Sequence, residues 1–210
     1  MSVKPRAFQG QYPPRWHSII NSPVGRLYVA ASDNALTGIW YEEQAHFPLP
    51  HELGERITDP AGLVVEADEV AQVIGADAER RGEHIYVAPA RILAQTEREL
   101  DEYFRGRRTD FEVPLDPDGT DFQLAVWDYL KTVPYGYTVT YGEISRMVGP
   151  GAPAQAVGQA VGHNKIAIII PCHRVLGAGG KLTGYAGGLD RKRWLLDREE
   201  PKDIRSGRLF

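Results

Sequence analysis

"VTYGEISRMVGPGAPAQAVGQAVGHN", residues 139 to 164, is the stretch whose reading decides the fold. VTYGEISRMVG reads as a short helix, and GPGAP breaks it. AQAVGQAVGHN reads as a second short helix, opened by Pro153 and closed by Gly162 and Asn164. Two short helices joined by a tight glycine-containing turn are the helix-turn-helix pattern. The second helix is almost bare, because Ala154, Ala156, Gly158, Ala160 and Gly162 carry little or no side chain. A helix that reads base edges in the major groove uses Arg, Asn or Gln for bidentate contacts; this one offers Gln155 and Gln159. Two readings fit its smallness. One is a helix pressed into a narrow groove by shape, and the other is tight packing inside the protein.

Upstream, VPLDPDGT has the prolines, glycine and aspartates of a linker. Thr120 and Gln123 then form a capping-box pattern ahead of DFQLAVWDYLKTV, with Ala125, Val126, Tyr129 and Leu130 as the expected buried stripe. PYGYT is a turn. Further back, SPVGRLYVAASDNALTGIWYEE reads as a hairpin turning at Ser32, Asp33 and Asn34. PARILAQTERELDEYFRGRRTDF places Ile92, Leu93, Leu100, Tyr103 and Phe104 on one helical face, ended by Gly106. Residues 43 to 90 read as an irregular polar insertion with a short helix at 66–74, and the first 16 residues as a flexible lead-in. The expected layout is therefore a lead-in (1–16), an N-terminal α/β domain (17–115), a C-terminal domain (119–203) and a tail (204–210). Runs of strands followed by runs of helices give an α+β class.

The 210 residues are 42% hydrophobic and 25% charged, which suits a soluble globular protein. The net charge of -4 is unevenly spread: the first 119 residues carry 12 basic and 20 acidic side chains, the rest 12 and 8. A basic segment in an acidic chain is a weak pointer to a polyanionic partner, and a solvated face explains it equally. The longest apolar run, Ile166 to Ile170, is too short to span a membrane, and MSVKPRAFQGQYPPRW has no secretory h-region. The single cysteine excludes an internal disulfide and argues against structural zinc. These features lead us to expect a cytoplasmic protein with no metal, no cofactor and no membrane partner.

That cysteine lies in IIIPCHRVLGAGG, residues 168 to 180. Successive residues of an extended strand face opposite sides, so Cys172 and His173 would need a water or a bend at Pro171 to communicate. A cysteine nucleophile needs its thiolate and a nearby base, and the base needs an orienting carboxylate; Asp190, Asp197, Glu199 and Glu200 are the downstream candidates. A buried structural thiol is the competing reading. The following glycines fail both the phosphate-loop and dinucleotide patterns, which leaves a mobile lid or a tight wall around a flat ligand.

PCHRV, preceded by GHNKIAIII and followed by GKLTGYAGGLDRKRWLL, resembles the active-site segment of O6-methylguanine–DNA methyltransferases. The resemblance runs upstream through GTDFQLAVWDYLKTVPYGYTVTYGEISRMVG and into SPVGRLYVAASDNALTGIWY, and leaves residues 43 to 90 outside. It implies a ribonuclease H-like N-terminal domain and a C-terminal domain with a winged helix-turn-helix-like motif. It also implies single-turnover transfer of an alkyl group from O6-alkylguanine, with O4-alkylthymine a further substrate, out of double-stranded DNA by a monomer at the minor groove. By resemblance Cys172 is the acceptor, His173 its water-linked base, Glu199 the orienting carboxylate and Asn164 the brace of the turn. Tyr141 donates to the leaving guanine and lies near a phosphate. Tyr185 stacks on the flipped base, Ala186 and Gly187 offer N–H groups, and the Val175 carbonyl accepts from the exocyclic amine. Arg174 anchors the loop through ion pairs. Ala154, Gln155, Ala156, Gly158 and Gln159 form the DNA-binding helix.

The chain departs from the pattern at Gln155, where relatives carry an arginine finger; Arg146 or Lys165 could take its place. Two alternatives stand beside this reading. One is a lesion sensor with little transfer activity, which the presence of Cys172 opposes. The other is a Cys–His hydrolase, which would regenerate its thiol.

Overall fold

The computed structural model describes residues 15–64, 87–149 and 151–200. Its first strand, β1 (Trp16–Ser22), alternates buried Trp16, Ser18 and Ile20 with more open neighbours, the period of a half-covered strand. It pairs antiparallel with β2 (Gly25–Ala31), Trp16 opposite Ala31 and Ser22 opposite Gly25. Gly25 makes the tight turn between them at φ 99°. β2 pairs with β3 (Leu36–Tyr41), a strand buried along its whole length. After a short helix α1 (Pro50–Leu53), the two-residue β4 (Glu55–Arg56) adds parallel to β1, giving the sheet order β3-β2-β1-β4. The expected hairpin is therefore β2–β3. The lead-in ends earlier than expected, since Trp16 is a buried strand residue; residues 1 to 14 lie outside the described ones, as do the expected helix at 66–74 and the tail.

The long helix α2 (Val87–Phe104) packs across β1 and β2. Leu93, Leu100 and Tyr103 are buried with Leu27, Val29 and Leu36 of the sheet. Gly106, at φ 72°, turns the chain beyond its end. α3 (Asp121–Lys131) starts at Thr120, whose side chain accepts from the Gln123 amide while Gln123 reaches back to the Thr120 amide. Its buried residues are Val126, Trp127 and Leu130. This corrects the expected stripe: Ala125 faces solvent and Tyr129 is half-buried. The difference is Trp127, whose indole runs under the bare helix and donates to the Ala160 carbonyl at 2.8 Å.

α4 (Tyr141–Val148) and α5 (Ala154–Gly162) form the expected helix pair. A parallel pair of two-residue strands, β5 (Val139–Thr140) with β6 (Val175–Leu176), places the start of α4 beside the segment that follows Cys172. The chain ends in α6 (Leu189–Glu199). One continuous apolar cluster joins the sheet, α2 and these helices. The architecture is α+β. No described helix is long and apolar enough to cross a membrane.

Candidate active site

Ile166 to Ile170 is buried, yet it is not a strand. The segment closes into turns, with the Ile170 amide donating to the Ile166 carbonyl at 3.0 Å, and Ile168 takes φ 72°. A β-branched residue in the left-handed region costs about 1–3 kcal/mol and persists only where its surroundings impose it. Asn164 imposes it. Its Oδ1 accepts from the Ile166 amide at 3.0 Å, and its Nδ2 donates to the Ile170 carbonyl at 2.8 Å and to Cys172 Sγ at 3.0 Å.

Cys172, His173 and Arg174 then form a single 3₁₀ turn. This replaces the extended geometry considered from the sequence and turns the thiol and the imidazole to different surroundings. Cys172 is 6% exposed and His173 is fully buried. His173 Nε2 lies 2.9 Å from Glu199 Oε1, while its Nδ1 is buried with no hydrogen-bond partner among the described residues. The carboxylate can only accept, so Nε2 carries the proton and Nδ1 is left as the acceptor.

Glu199 is the hub of this cluster. Arg174 donates to both of its oxygens, from Nε at 2.7 Å and Nη2 at 2.9 Å, and the Tyr103 hydroxyl donates at 2.8 Å. Burial alone would raise the Glu199 pKa, but the hydrogen bonds from His173 and Arg174 outweigh it and hold the carboxyl well below its usual range. Burial pushes the His173 pKa down, against the pull of Glu199. Burial pushes the Cys172 thiol up, opposed first by the Asn164 N–H and then by the charge of Lys192. The site thus combines an anionic carboxylate, a neutral imidazole with one open nitrogen, and a thiol held as a thiol.

A cavity of about 220 Å³ is lined by Ala45, His46, Tyr141, Gly158, Val161, Gly162, Gly184, Tyr185 and Ala186; Cys172 does not line it, but Tyr185 of its wall also bears on the thiol. Tyr141 crosses its rim, its hydroxyl donating to the Gly184 carbonyl at 3.4 Å. Of the residues expected to hold a base, Tyr141, Tyr185 and Ala186 meet here. Val175 and Gly187 are buried behind the wall and do not line the cavity. The Val175 carbonyl instead accepts from Lys192 Nζ at 2.6 Å.

On α5 the inner side is Val157, Ala160 and Val161, while Ala154, Gln155 and Gln159 are exposed and Ala156 and Gly158 partly so. A Cβ added at Gly158 would meet only Tyr141, at an ordinary 3.9 Å, and one at Gly162 would meet nothing. The protein's own packing therefore does not require glycine at 158 or 162, whereas Ala160 is buried over Trp127. The outer small residues leave a bare face beside the cavity.

Residues 121–201 match the family model "6-O-methylguanine DNA methyltransferase, DNA binding domain", and residues 67–117 match the ribonuclease-like domain of the same family. The methylated-DNA--protein-cysteine methyltransferase of Mycobacterium tuberculosis strain H37Rv is 58% identical over 183 residues, covering 87% of this chain and 91% of that protein. The chain belongs to the 6-O-methylguanine-DNA methyltransferase family. The Mycobacterium leprae member is 51% identical over 191 residues, 91% of this chain and 96% of its own. The crystal structure of M. tuberculosis OGT in complex with DNA superposes with a TM-score of 0.67 at 40% identity, covering 90% of this chain and 97% of that one. The family match begins at residue 67, so the likeness reaches into the 43–90 stretch expected to stand outside it.

Within this family frame, several residues near the site had no signal in the sequence. Tyr103 comes from α2, 96 residues before its partner Glu199. Lys192 is buried and clamps the carbonyls of Val175, Thr183 and Gly184 at 2.6, 2.6 and 3.1 Å, with burial lowering its pKa to about 8. Ala45 donates its amide to the Ala186 carbonyl at 3.1 Å, and His46 stacks on His163 with ring centroids 4.0 Å apart. Lys165, one candidate for the missing arginine, is paired with Asp118 at 3.2 Å; Arg146 is exposed on α4.

Proposed function

We propose that this chain repairs DNA by moving the alkyl group of O6-alkylguanine onto Cys172, once per molecule, acting as a monomer on a base flipped through the minor groove. The observation that carries the reading is a buried thiol, braced at 3.0 Å by Asn164, together with a His173–Glu199 pair and a cavity walled by Tyr141 and Tyr185, of which Tyr185 also bears on the thiol. A single free thiol suits a stoichiometric acceptor in a reducing cytoplasm.

In this reading His173 Nδ1 takes the thiol proton through a bridging water, and Glu199 steadies the imidazolium that results. The sulfur attacks the alkyl carbon, an S–C bond forms, and the C–O6 bond breaks with its electron pair passing to guanine. The Tyr141 hydroxyl donates to the ring where that charge develops. The bare face of α5 lies against the groove, with Gln155 in the gap left by the base. Opening the duplex costs a few kcal/mol, less at a damaged base.

The test is stoichiometry. Titrating the protein into excess duplex bearing O6-methylguanine should remove lesions until their number equals the number of protein molecules. Continued removal beyond that point would identify a turning-over hydrolase, and binding without removal a sensor.

A further inference from the structure

The wall of the cavity has a support outside the C-terminal half. The Tyr185 hydroxyl lies 2.8 Å from that of Tyr41, and the two rings meet edge to face with centroids 5.9 Å apart. Tyr41 is the last residue of β3 and is 1% exposed. On its other side the Arg191 guanidinium sits 5.0 Å from its ring centroid, while Arg191 donates to the carbonyls of Val24 at 2.8 Å and Gly187 at 2.9 Å. Gly187 lies so close that a Cβ there would come within 2.5 Å of Tyr41 Cδ2. One buried tyrosine of the sheet therefore touches both Tyr185 and Gly187 from behind.

A buried hydroxyl needs a partner, and Tyr185 supplies it. Burial also raises the pKa of both phenols, so both stay neutral hydroxyls under working conditions. Tyr185 itself sits among glycines, with Gly184 at φ 44° and Gly188 at φ 90°. We infer that Tyr41 is a positioning residue, through which the N-terminal sheet fixes Tyr185 as a rigid wall before the alkylated base arrives. The inference rests on the alkyl-transfer reading. The Tyr41 hydroxyl meets Tyr185, and the Tyr185 side chain in turn bears on Cys172, so the effect of Tyr41 falls first on holding the base.

The experiment follows alkylation of Cys172 in the full chain by free O6-benzylguanine, a probe that needs no duplex. It reads the half-saturating concentration, the limiting rate and the fraction alkylated at completion. Tyr41→Phe keeps the ring and removes the hydroxyl. It should raise the half-saturating concentration about two- to tenfold, the worth of one hydrogen bond, with the limiting rate within about twofold of wild type. Tyr185→Phe should raise the half-saturating concentration at least as much and, because the Tyr185 side chain also bears on Cys172, lower the limiting rate as well. The double variant should be no worse than Tyr185→Phe alone, since the two hydroxyls act as a pair. The fraction alkylated reports folded protein separately, so misfolding does not mimic the effect. An unchanged half-saturating concentration in Tyr41→Phe, a loss confined to the limiting rate, or additive losses in the double variant each overturn the inference. A wild type that never becomes alkylated would instead refute the alkyl-transfer reading itself.

Discussion

Asn164 Nδ2 points at Cys172 Sγ from 3.0 Å while the same side chain ties the Ile166 amide and the Ile170 carbonyl. One amide thus holds the strained turn at Ile168 and solvates the sulfur. Asn164→Ala should cost about 2 kcal/mol of stability, since the buried Ile166 amide loses its partner; urea unfolding measures it. Asn164→Asp keeps the acceptor but sets a carboxylate against the sulfur. The pH at which transfer becomes half-maximal should then move up by about one unit or more. An unshifted pH profile would show that Asn164 only shapes the turn.

The His173–Glu199 pair should serve chemistry and not DNA affinity. Replacing either residue by Ala is expected to slow transfer about 100-fold or more, in line with the loss of general base catalysis. Binding to undamaged duplex should change little, because both side chains are buried away from the exposed face of α5. Rapid-quench single-turnover kinetics and a binding titration check the two halves of this prediction. Wild-type rates in both variants would mean that Cys172 is activated some other way.

His173 also gives stability a pH dependence with a definite sign. Its folded pKa is lowered by burial, so the unfolded chain binds the proton more readily. The stabilising contribution is therefore full above the ordinary histidine value of about 6.5 and is lost as pH falls below it. The loss per pH unit can reach about 1.4 kcal/mol for one proton. Between pH 7.5 and 5.5 the urea midpoint of the wild type should fall more than that of His173→Gln. His17, whose pKa burial also lowers, contributes equally to both proteins and cancels. Parallel falls would contradict the assignment.

Gln155 faces solvent on the helix proposed to enter the groove. Gln155→Arg should bind lesion-bearing duplex more tightly, and the slope of log K against log salt should steepen by at most about one unit. Reaction with free O6-benzylguanine should be unaltered. Equal affinity and equal slope would reject a groove contact at this position. A loss on replacing Arg146 or Lys165 by Ala would then point to the residue that fills the role.

Much of this architecture was legible in local pattern. The capping box at Thr120, the β2–β3 hairpin with its turn at Ser32 to Asn34, and the helix pair broken at GPGAP are encoded within a few residues of themselves. What escaped depends on distance along the chain. Trp127 replaced Ala125 in the buried stripe because α5 covers it, with the contact at Ala160 lying 33 residues later. β1 was hidden because its alternating residues follow a proline-rich stretch and gain meaning only beside β2. The turn at Ile168 looks like a strand by composition, and only Asn164, reaching across it, makes it otherwise. Tyr103, Lys192 and Tyr41 are ordinary residues in ordinary elements, and folding alone brings them to Glu199, to the Val175 carbonyl and to Tyr185.

The central claim is that Cys172 is the alkyl acceptor. The most direct measurement is intact-protein and peptide mass spectrometry after incubation with duplex DNA containing O6-methylguanine. One added methyl group per chain, on the peptide holding Cys172 and in proportion to guanine restored, is the predicted result. Restored guanine beside an unmodified Cys172 would contradict the account.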